Sequence, residues 1–197
     1  PKTGKFVFAS NHPLGGLDGI CLAATLGDKY NKKIKYLVND ILLNIENLES
    51  IFVPINKHGR QAKESVKAIN DAYKSDNQII TFPAGLCSRK QGGQIKDLKW
   101  TKSFVVKAKD FKRDIIPIHF EGRNSSFFYN LSNLRTRIGI KLNVEMLFLA
   151  DEMMKKKNAE FTITFGKPIP WETLDNSKRP IKWAQDIKES VYTLNQI

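Results

Sequence analysis

Short, continuously apolar runs recur along the chain, and stretches with helical spacing separate them. The apolar runs lie at residues 6–9, 36–38, 51–53, 79–82 and 115–120. A strand with one wet face alternates apolar and polar residues, whereas a continuously apolar strand is buried on both faces, as in a parallel sheet. Residues with the spacing of a buried helical face are Ala62, Val66, Ile69 and Tyr73, and then Phe104, Val105, Ala108 and Phe111. This alternation predicts an α/β fold with a mostly parallel central sheet flanked by helices.

The carboxyl-terminal third predicts elements that complete the same domain. Residues 161–165 alternate with period two, which indicates a strand at the sheet edge, and Trp183, Ile187 and Val191 indicate a final helix. We find no repeat or flexible linker, so residues 1–197 are predicted to form one domain. Because the chain opens at Pro1 almost directly into a strand, we expect an amino-terminal segment to be missing.

The charge balance restricts the partners. Lys and Arg number 32 against 20 Asp and Glu, giving a net charge of +12, and such a charge attracts nucleic acid, an anionic leaflet or an acidic carrier protein. Apart from charge, no nucleic-acid-binding pattern is present, so we predict no nucleic acid partner. No apolar run reaches the roughly 20 residues that span a bilayer, so any membrane contact is predicted to be peripheral. The two cysteines, Cys21 and Cys87, favour a reducing compartment.

The most informative string, S-N-H-P-L-G-G-L-D-G at residues 10–19, directly follows the first predicted strand. His12 should lie at the carboxyl end of that strand, where open α/β sheets bind ligands. The turn through Gly15 and Gly16 lets Asp18 return toward His12. A carboxylate that accepts a hydrogen bond from one imidazole nitrogen leaves the other nitrogen as a base for a hydroxyl or an amine. The alternative is an ordinary hydrogen-bonded loop.

Other polar turns follow or end predicted strands at residues 53–57, 82–90 and 116–123. The carboxyl ends of parallel strands meet at one edge of a sheet, so these turns are expected beside His12. The candidate substrate-binding residues lie in or near these turns and beside His12. They are Asn11, Asn56, Lys57, Arg60, Gly85, Ser88, Arg89 and Lys90. No His, Cys or carboxylate spacing suits a metal, so we predict no catalytic metal and no cofactor.

In their order, these segments resemble the PlsC-type glycerolipid acyltransferase family. The segments that resemble its motifs are residues 11–18, 52–55, 82–89 and 116–118, followed by a similar turn at 166–169. The resemblance implies an acyl-CoA or acyl-carrier-protein donor, a lyso-lipid acceptor and no acyl-enzyme intermediate. It also implies that His12 and Asp18 are catalytic, and that Gly85, Ser88 and Arg89 form the acceptor or oxyanion pocket. The enzyme is expected to work peripherally, at the cytoplasmic face of an anionic membrane.

Two departures from the family pattern affect the site. Five residues separate His12 from Asp18, one more than in the family, and we expect Gly15 and Gly16 to absorb the extra residue. Ala84 and Leu86 replace a glutamate and a threonine of the third motif. This pattern is closer to a bacterial branch that contains hemolysin-like proteins and aminolipid O-acyltransferases. We therefore expect a lyso-aminolipid acceptor, with lysophosphatidic acid as the alternative.

Several features have competing interpretations. Residues 125–154 combine aromatic, basic and apolar stretches, which is typical either of an interfacial segment or of a core helix with a solvated face. His119 is expected in the core and His58 on a surface loop. Cys87 is a weaker nucleophile candidate, because residues 85–89 lack the hydrolase elbow pattern. A basic module that binds membrane or nucleic acid without chemistry, or a thioester hydrolase, is the alternative function.

Overall fold

The structure, a computed structural model, describes residues 1–38, 50–55 and 60–194, and of residues 60–62 it describes the backbone alone. Its strands are β1 (Phe6–Ser10), β2 (Ile34–Val38), β3 (Phe52–Pro54), β4 (Gln78–Thr81), β5 (Arg89–Gln91), β6 (Gln94–Lys96), β7 (Asp114–Phe120) and β8 (Ile163–Phe165). Its α-helices are α1 (Leu17–Lys29), α2 (Arg60–Lys74), α3 (Ser103–Asp110), α4 (Ser126–Arg137), α5 (Leu149–Met154) and α6 (Pro180–Thr193). Short 3-10 helices lie at Val144–Phe148 and Trp171–Thr173.

Across these described ranges, a six-stranded sheet has the order β3-β2-β4-β1-β7-β8 and a separate hairpin pairs β5 with β6. The neighbours in the large sheet are parallel except β8, which runs antiparallel to β7 at the edge. This confirms the predicted α/β fold with a mostly parallel sheet. The alternating run at 161–165 is the edge strand, as its pattern indicated.

The central strand β1 explains why the first apolar run has no polar member. All its residues are buried, and Phe8 is paired with Ile80 of β4 on one side and with Ile116 of β7 on the other. Because β1, β4 and β7 are parallel, Ser10, Thr81 and Phe120 end at one edge of the sheet. The loops that follow these strands are thereby brought together.

Helices cover both faces of the sheet. On one face, Leu22 and Leu26 of α1 pack against Phe8. On the other, Phe104 of α3 and Ile187 of α6 join the cluster built on alternate residues of β1. Of the predicted face of α2, Tyr73 is buried and Ile69 half-buried, but Val66 is 54% exposed, and the side chain of Ala62 lies outside the described part of the structure. No helix among the described residues is long and apolar enough to cross a bilayer.

Candidate active site

The loop that carries His12 is fixed to the sheet by Asn11. Its side-chain amide donates to the carbonyl of Phe120 at 2.9 Å, and its side-chain oxygen accepts from the backbone N–H of Phe120 at 2.7 Å. This pair of bonds joins the end of β1 to the end of β7. Asn11 is buried, so the structure shows it as a residue that positions the loop, and its contact with substrate stays a prediction.

His12 and Asp18 lie within hydrogen-bonding distance, as their sequence pattern predicted. Nδ1 of His12 is 3.1 Å from Oδ2 of Asp18, whose side chain is fully buried. Asp18 also accepts from the backbone N–H groups of Leu14 and Gly19, each at 2.9 Å. Because a carboxylate accepts hydrogen bonds, we assign the imidazole proton to Nδ1. Nε2 is then the nitrogen with a lone pair.

The extra residue between His12 and Asp18 is absorbed at Gly15, as expected. Gly15 has a φ of 90°, in the left-handed region that favours glycine, and Gly16 directly precedes helix α1. A Cβ atom at Gly15 would also lie 2.8 Å from Cδ2 of Leu149 in α5. The loop is thus shaped by a left-handed turn, which glycine adopts without strain, and by close contact with α5.

A buried carboxylate that the sequence did not indicate organises the same loop. Asp97 is 1% exposed. Its Oδ1 accepts from the backbone N–H of His12 at 3.1 Å and from the hydroxyl of Ser88 at 2.6 Å, and its Oδ2 accepts from the indole of Trp100 at 2.8 Å. The backbone N–H of Asp97 donates to the hydroxyl of Tyr192 in α6 at 2.8 Å. Asp97 therefore joins the His12 loop, the third motif and the last helix.

The surrounding charges favour the protonated form of His12. Burial by itself lowers the pKa of His12, but attraction to Asp18, its hydrogen bond and the charge of Asp97 outweigh burial, so the pKa is raised. The ring lies 4.1 Å, centroid to centroid, from the ring of Phe82, and 12% of the His12 side chain is exposed. The imidazole is thus a strengthened base that keeps partial access to solvent.

Only some residues of the third motif, residues 82–89, contact the His12 loop. Ser88 is buried and donates its backbone N–H to the carbonyl of His12 at 2.7 Å. Gly85 has a φ of 71° and no atom within 4 Å of the position of a Cβ, so its turn faces open space. Lys90 lies exposed on the β5–β6 hairpin.

Arg89 is directed toward the protein. Its guanidinium donates to Oε1 of Glu145 and to the carbonyl of Cys87, both at 2.7 Å, and lies 5.4 Å from the centre of the Phe128 ring. Glu145 also accepts from Nε of Arg135 at 2.5 Å. Arg89 consequently shares a buried carboxylate with Arg135, a partner that the sequence did not identify.

The remaining predicted residues lie elsewhere. Asn56, Lys57 and His58 fall outside the described residues, and Arg60 begins α2 with an undescribed side chain. His119 is buried in β7, as expected. Among the described residues, no group of three or more His, Cys, Asp or Glu side chains could hold a metal ion.

A cavity of about 350 Å³ lies between α2 and the strands β2 and β3. Phe52 and Ala72 are among its lining residues, whereas His12 is not.

The fold and the ordered motifs define a class of protein. A model of the acyltransferase family matches residues 1–195, and the chain belongs to this family. The match confirms the resemblance seen in the sequence and the assignment as an acyltransferase.

More particular similarities agree with this class. The chain is 55% identical to the lyso-glycine lipid O-acyltransferase of Bacteroides thetaiotaomicron over 98% of this chain and 71% of that protein. Its identity to the enzyme of the same name from Phocaeicola vulgatus is also 55%, over 98% of this chain and 70% of that protein. The fold resembles the crystal structure of the 1-acyl-sn-glycerophosphate acyltransferase PlsC from Thermotoga maritima, with a TM-score of 0.57, 14% identity and coverage of 100% of this chain and 69% of that one.

Proposed function

We propose that this acyltransferase transfers a fatty acyl group from acyl-CoA or acyl-carrier protein to the hydroxyl of a lyso-aminolipid, with His12 as general base. The observation that carries the proposal is the hydrogen bond between Nδ1 of His12 and the buried Asp18. It orients the imidazole and leaves Nε2 to accept a proton.

In the proposed reaction, Nε2 of His12 takes the proton of the acceptor hydroxyl as its oxygen attacks the thioester carbonyl carbon. The new ester C–O bond forms and the C–S bond breaks. The imidazolium then returns the proton to the leaving thiolate, so the enzyme ends as it began. Asp18 supports the positive charge on the imidazole between the two proton transfers.

A covalent route through Cys87 receives no support from the geometry. Cys87 is fully buried, and burial raises the pKa of its thiol to about 11. A thiol of this kind is a poor nucleophile near neutral pH, since the thiolate is the reactive form. Direct transfer from donor to acceptor is the simpler reaction.

The acceptor is assigned from the relatives and from the state of Arg89. Both curated relatives are named for a lyso-glycine lipid. Arg89, which the resemblance implied for the acceptor pocket, is buried and donates to Glu145 and to the carbonyl of Cys87, so these donors are used inside the protein and not on a phosphate. A lyso-aminolipid is therefore favoured over lysophosphatidic acid. Lys90, exposed on its hairpin, is the proposed contact for an anionic group of either substrate.

We also propose that the enzyme works peripherally at the cytoplasmic face of an anionic membrane. Both the acceptor and the product are lipids that reside in a bilayer, whereas both donors are supplied from the cytoplasm. The net charge of +12 favours an anionic surface.

The test compares the wild type with His12→Ala on labelled acyl-CoA and acyl-carrier protein. Each donor is offered with lyso-glycine lipid, with lysophosphatidic acid or with no acceptor. We expect ester formation on lyso-glycine lipid and a loss of about 10²–10⁴ in kcat/KM in the variant, the usual worth of a general base. Circular dichroism verifies that the variant is folded.

Other outcomes of the same assay contradict the proposal. Release of free fatty acid with every acceptor shows a hydrolase. Equal turnover by His12→Ala removes His12 from the chemistry, and preferred acylation of lysophosphatidic acid overturns the acceptor assignment.

A further inference from the structure

Residues 126–157 form an ordered segment that turns large apolar side chains to solvent. Leu142 and Leu147 are 72% and 80% exposed, and Phe127, Leu134, Ile138 and Met154 are also exposed. Monomeric soluble proteins rarely expose a large contiguous apolar surface without using it for binding. We call these six side chains the apolar surface.

The apolar surface is not a core that failed to pack, because α4 has a separate buried face. Phe128 and Tyr129 are buried against Cys87. Phe127, Leu134 and Ile138, at intervals of seven and four residues, recur on one exposed stripe of α4 and its end. The ring of Phe127 lies 5.1 Å from that of Phe148, so the stripe continues onto the next element.

The exposed charges of the segment are mostly positive, because most of its carboxylates are buried. Its two buried carboxylates are paired within the protein, Glu145 with Arg89 and Arg135, and Glu152 with Ser125 and Lys155. Asp151 is the one exposed carboxylate within residues 126–157, all of which the structure describes. The exposed cations include Arg137, Lys141 and Lys157. These cations lie within three residues of Ile138, Leu142 and Met154 along the chain, and apolar side chains interspersed with cations are typical of segments that enter the interface of an anionic bilayer.

We propose that residues 126–157 dock on an anionic lipid bilayer, with the apolar surface in the interface and the surrounding cations on the lipid head groups. Leu149 of this segment lies against Gly15 in the loop between His12 and Asp18. Docking therefore places that loop beside the bilayer surface. This consequence rests on the proposed function, since the acceptor is then delivered from the membrane directly to the base.

Vesicle binding tests the surface without any reaction. The full chain is titrated with vesicles of phosphatidylcholine alone and of phosphatidylcholine mixed with phosphatidylglycerol. We expect tighter binding to the anionic vesicles and a loss of about ten- to a hundredfold in Leu142→Ser/Leu147→Ser, because two inserted apolar side chains are removed. The matched control is Val66→Ser on α2, which replaces a side chain that is also exposed, at 54%.

The charge component is tested with Lys141→Glu/Lys157→Glu. This variant is expected to lose its preference for anionic vesicles and most of the salt dependence of binding. Transfer to an acceptor dispersed in detergent should be unchanged in both double variants, whereas transfer to an acceptor embedded in vesicles should fall in parallel with binding.

Two results overturn the docking proposal. One is equal vesicle binding by Leu142→Ser/Leu147→Ser and Val66→Ser. The other is a wild-type dimer that Leu142→Ser/Leu147→Ser converts to a monomer with unchanged vesicle binding, which assigns the apolar surface to a second copy of the chain. Absence of transfer by the wild type in detergent contradicts the proposed function instead, and leaves the binding result independent of it.

Discussion

The backbone N–H of His12 donates a hydrogen bond to Oδ1 of Asp97 at 3.1 Å, across 85 positions of sequence. The same oxygen accepts from the hydroxyl of Ser88 at 2.6 Å. One buried carboxylate therefore holds both the backbone of His12 and the third motif at Ser88. Asp97 acts on the geometry and charge of His12 without touching its ring nitrogens, and we regard it as a positioning residue.

Asp97→Asn should reduce both stability and activity. The amide of asparagine brings donors to a site where N–H and O–H donors already converge, so at least one buried donor loses its acceptor. The expected loss is about 1–3 kcal/mol in the free energy of unfolding, measured by urea denaturation. Activity should fall chiefly through kcat, because the loop is displaced. Asp110→Asn, at an exposed position of α3, is the control and should match the wild type. Equal effects of the two substitutions contradict the role of Asp97.

The pH dependence of catalysis should report the raised pKa of His12. A general base works in its neutral form, so kcat/KM should fall as pH decreases through a pKa above the ordinary value near 6.5. Asp18→Asn removes the charge that holds the proton on His12, so this limb should move to lower pH while the plateau rate drops. A profile recorded with saturating donor checks both effects. An unmoved limb in Asp18→Asn would show that another group titrates.

The two adjacent glycines of the loop should differ in their tolerance of alanine. Gly15→Ala forces a side chain into the left-handed region and against Leu149, whereas nothing lies within 4 Å of the position of a Cβ at Gly16. The expected cost of Gly15→Ala is about 1–3 kcal/mol of unfolding free energy, with reduced activity. Gly16→Ala should cost less than about 1 kcal/mol. Thermal denaturation of the two variants tests this difference, and equal melting temperatures would contradict the requirement for glycine at position 15.

The central sheet and the contact of His12 with Asp18 could be predicted because both are set by local pattern. Continuous apolar runs imply strands buried on both faces, and parallel strands end at one edge. The loop between His12 and Asp18 holds five residues with two adjacent glycines, which lets the chain turn back at little steric cost and bring Asp18 toward His12. The structure confirms this predicted contact, since Nδ1 of His12 lies 3.1 Å from Oδ2 of Asp18.

The buried charges could not be predicted in the same way. Asp97 lies between Lys96 and Lys99, where the sequence indicates a solvated surface, and its partners are distant along the chain. The Trp100 indole was the available signal, since a buried indole N–H requires an acceptor. The partner of Arg89 lies 56 residues away. Only tertiary packing brings such pairs together, so neither residue spacing nor hydrophobic periodicity can predict them.

Glu145→Gln should destabilise the protein more than any exposed carboxylate substitution. The change leaves the buried guanidinium of Arg89 and that of Arg135 without their carboxylate, which typically costs about 3–5 kcal/mol. Burial alone raises the pKa of Glu145, but hydrogen bonding and attraction to the two arginines outweigh it, so the folded-state pKa is lowered. Its contribution to stability is therefore present above the unfolded value of 4.5 and is lost as pH falls through the folded value. Urea denaturation at a series of pH values below 4.5 should show a steeper loss of stability in the wild type than in Glu145→Gln. Glu160→Gln, at an exposed position, is the control and should match the wild type at every pH. Identical curves for Glu145→Gln and Glu160→Gln would show that the ion pair of Glu145 with Arg89 does not stabilise the fold.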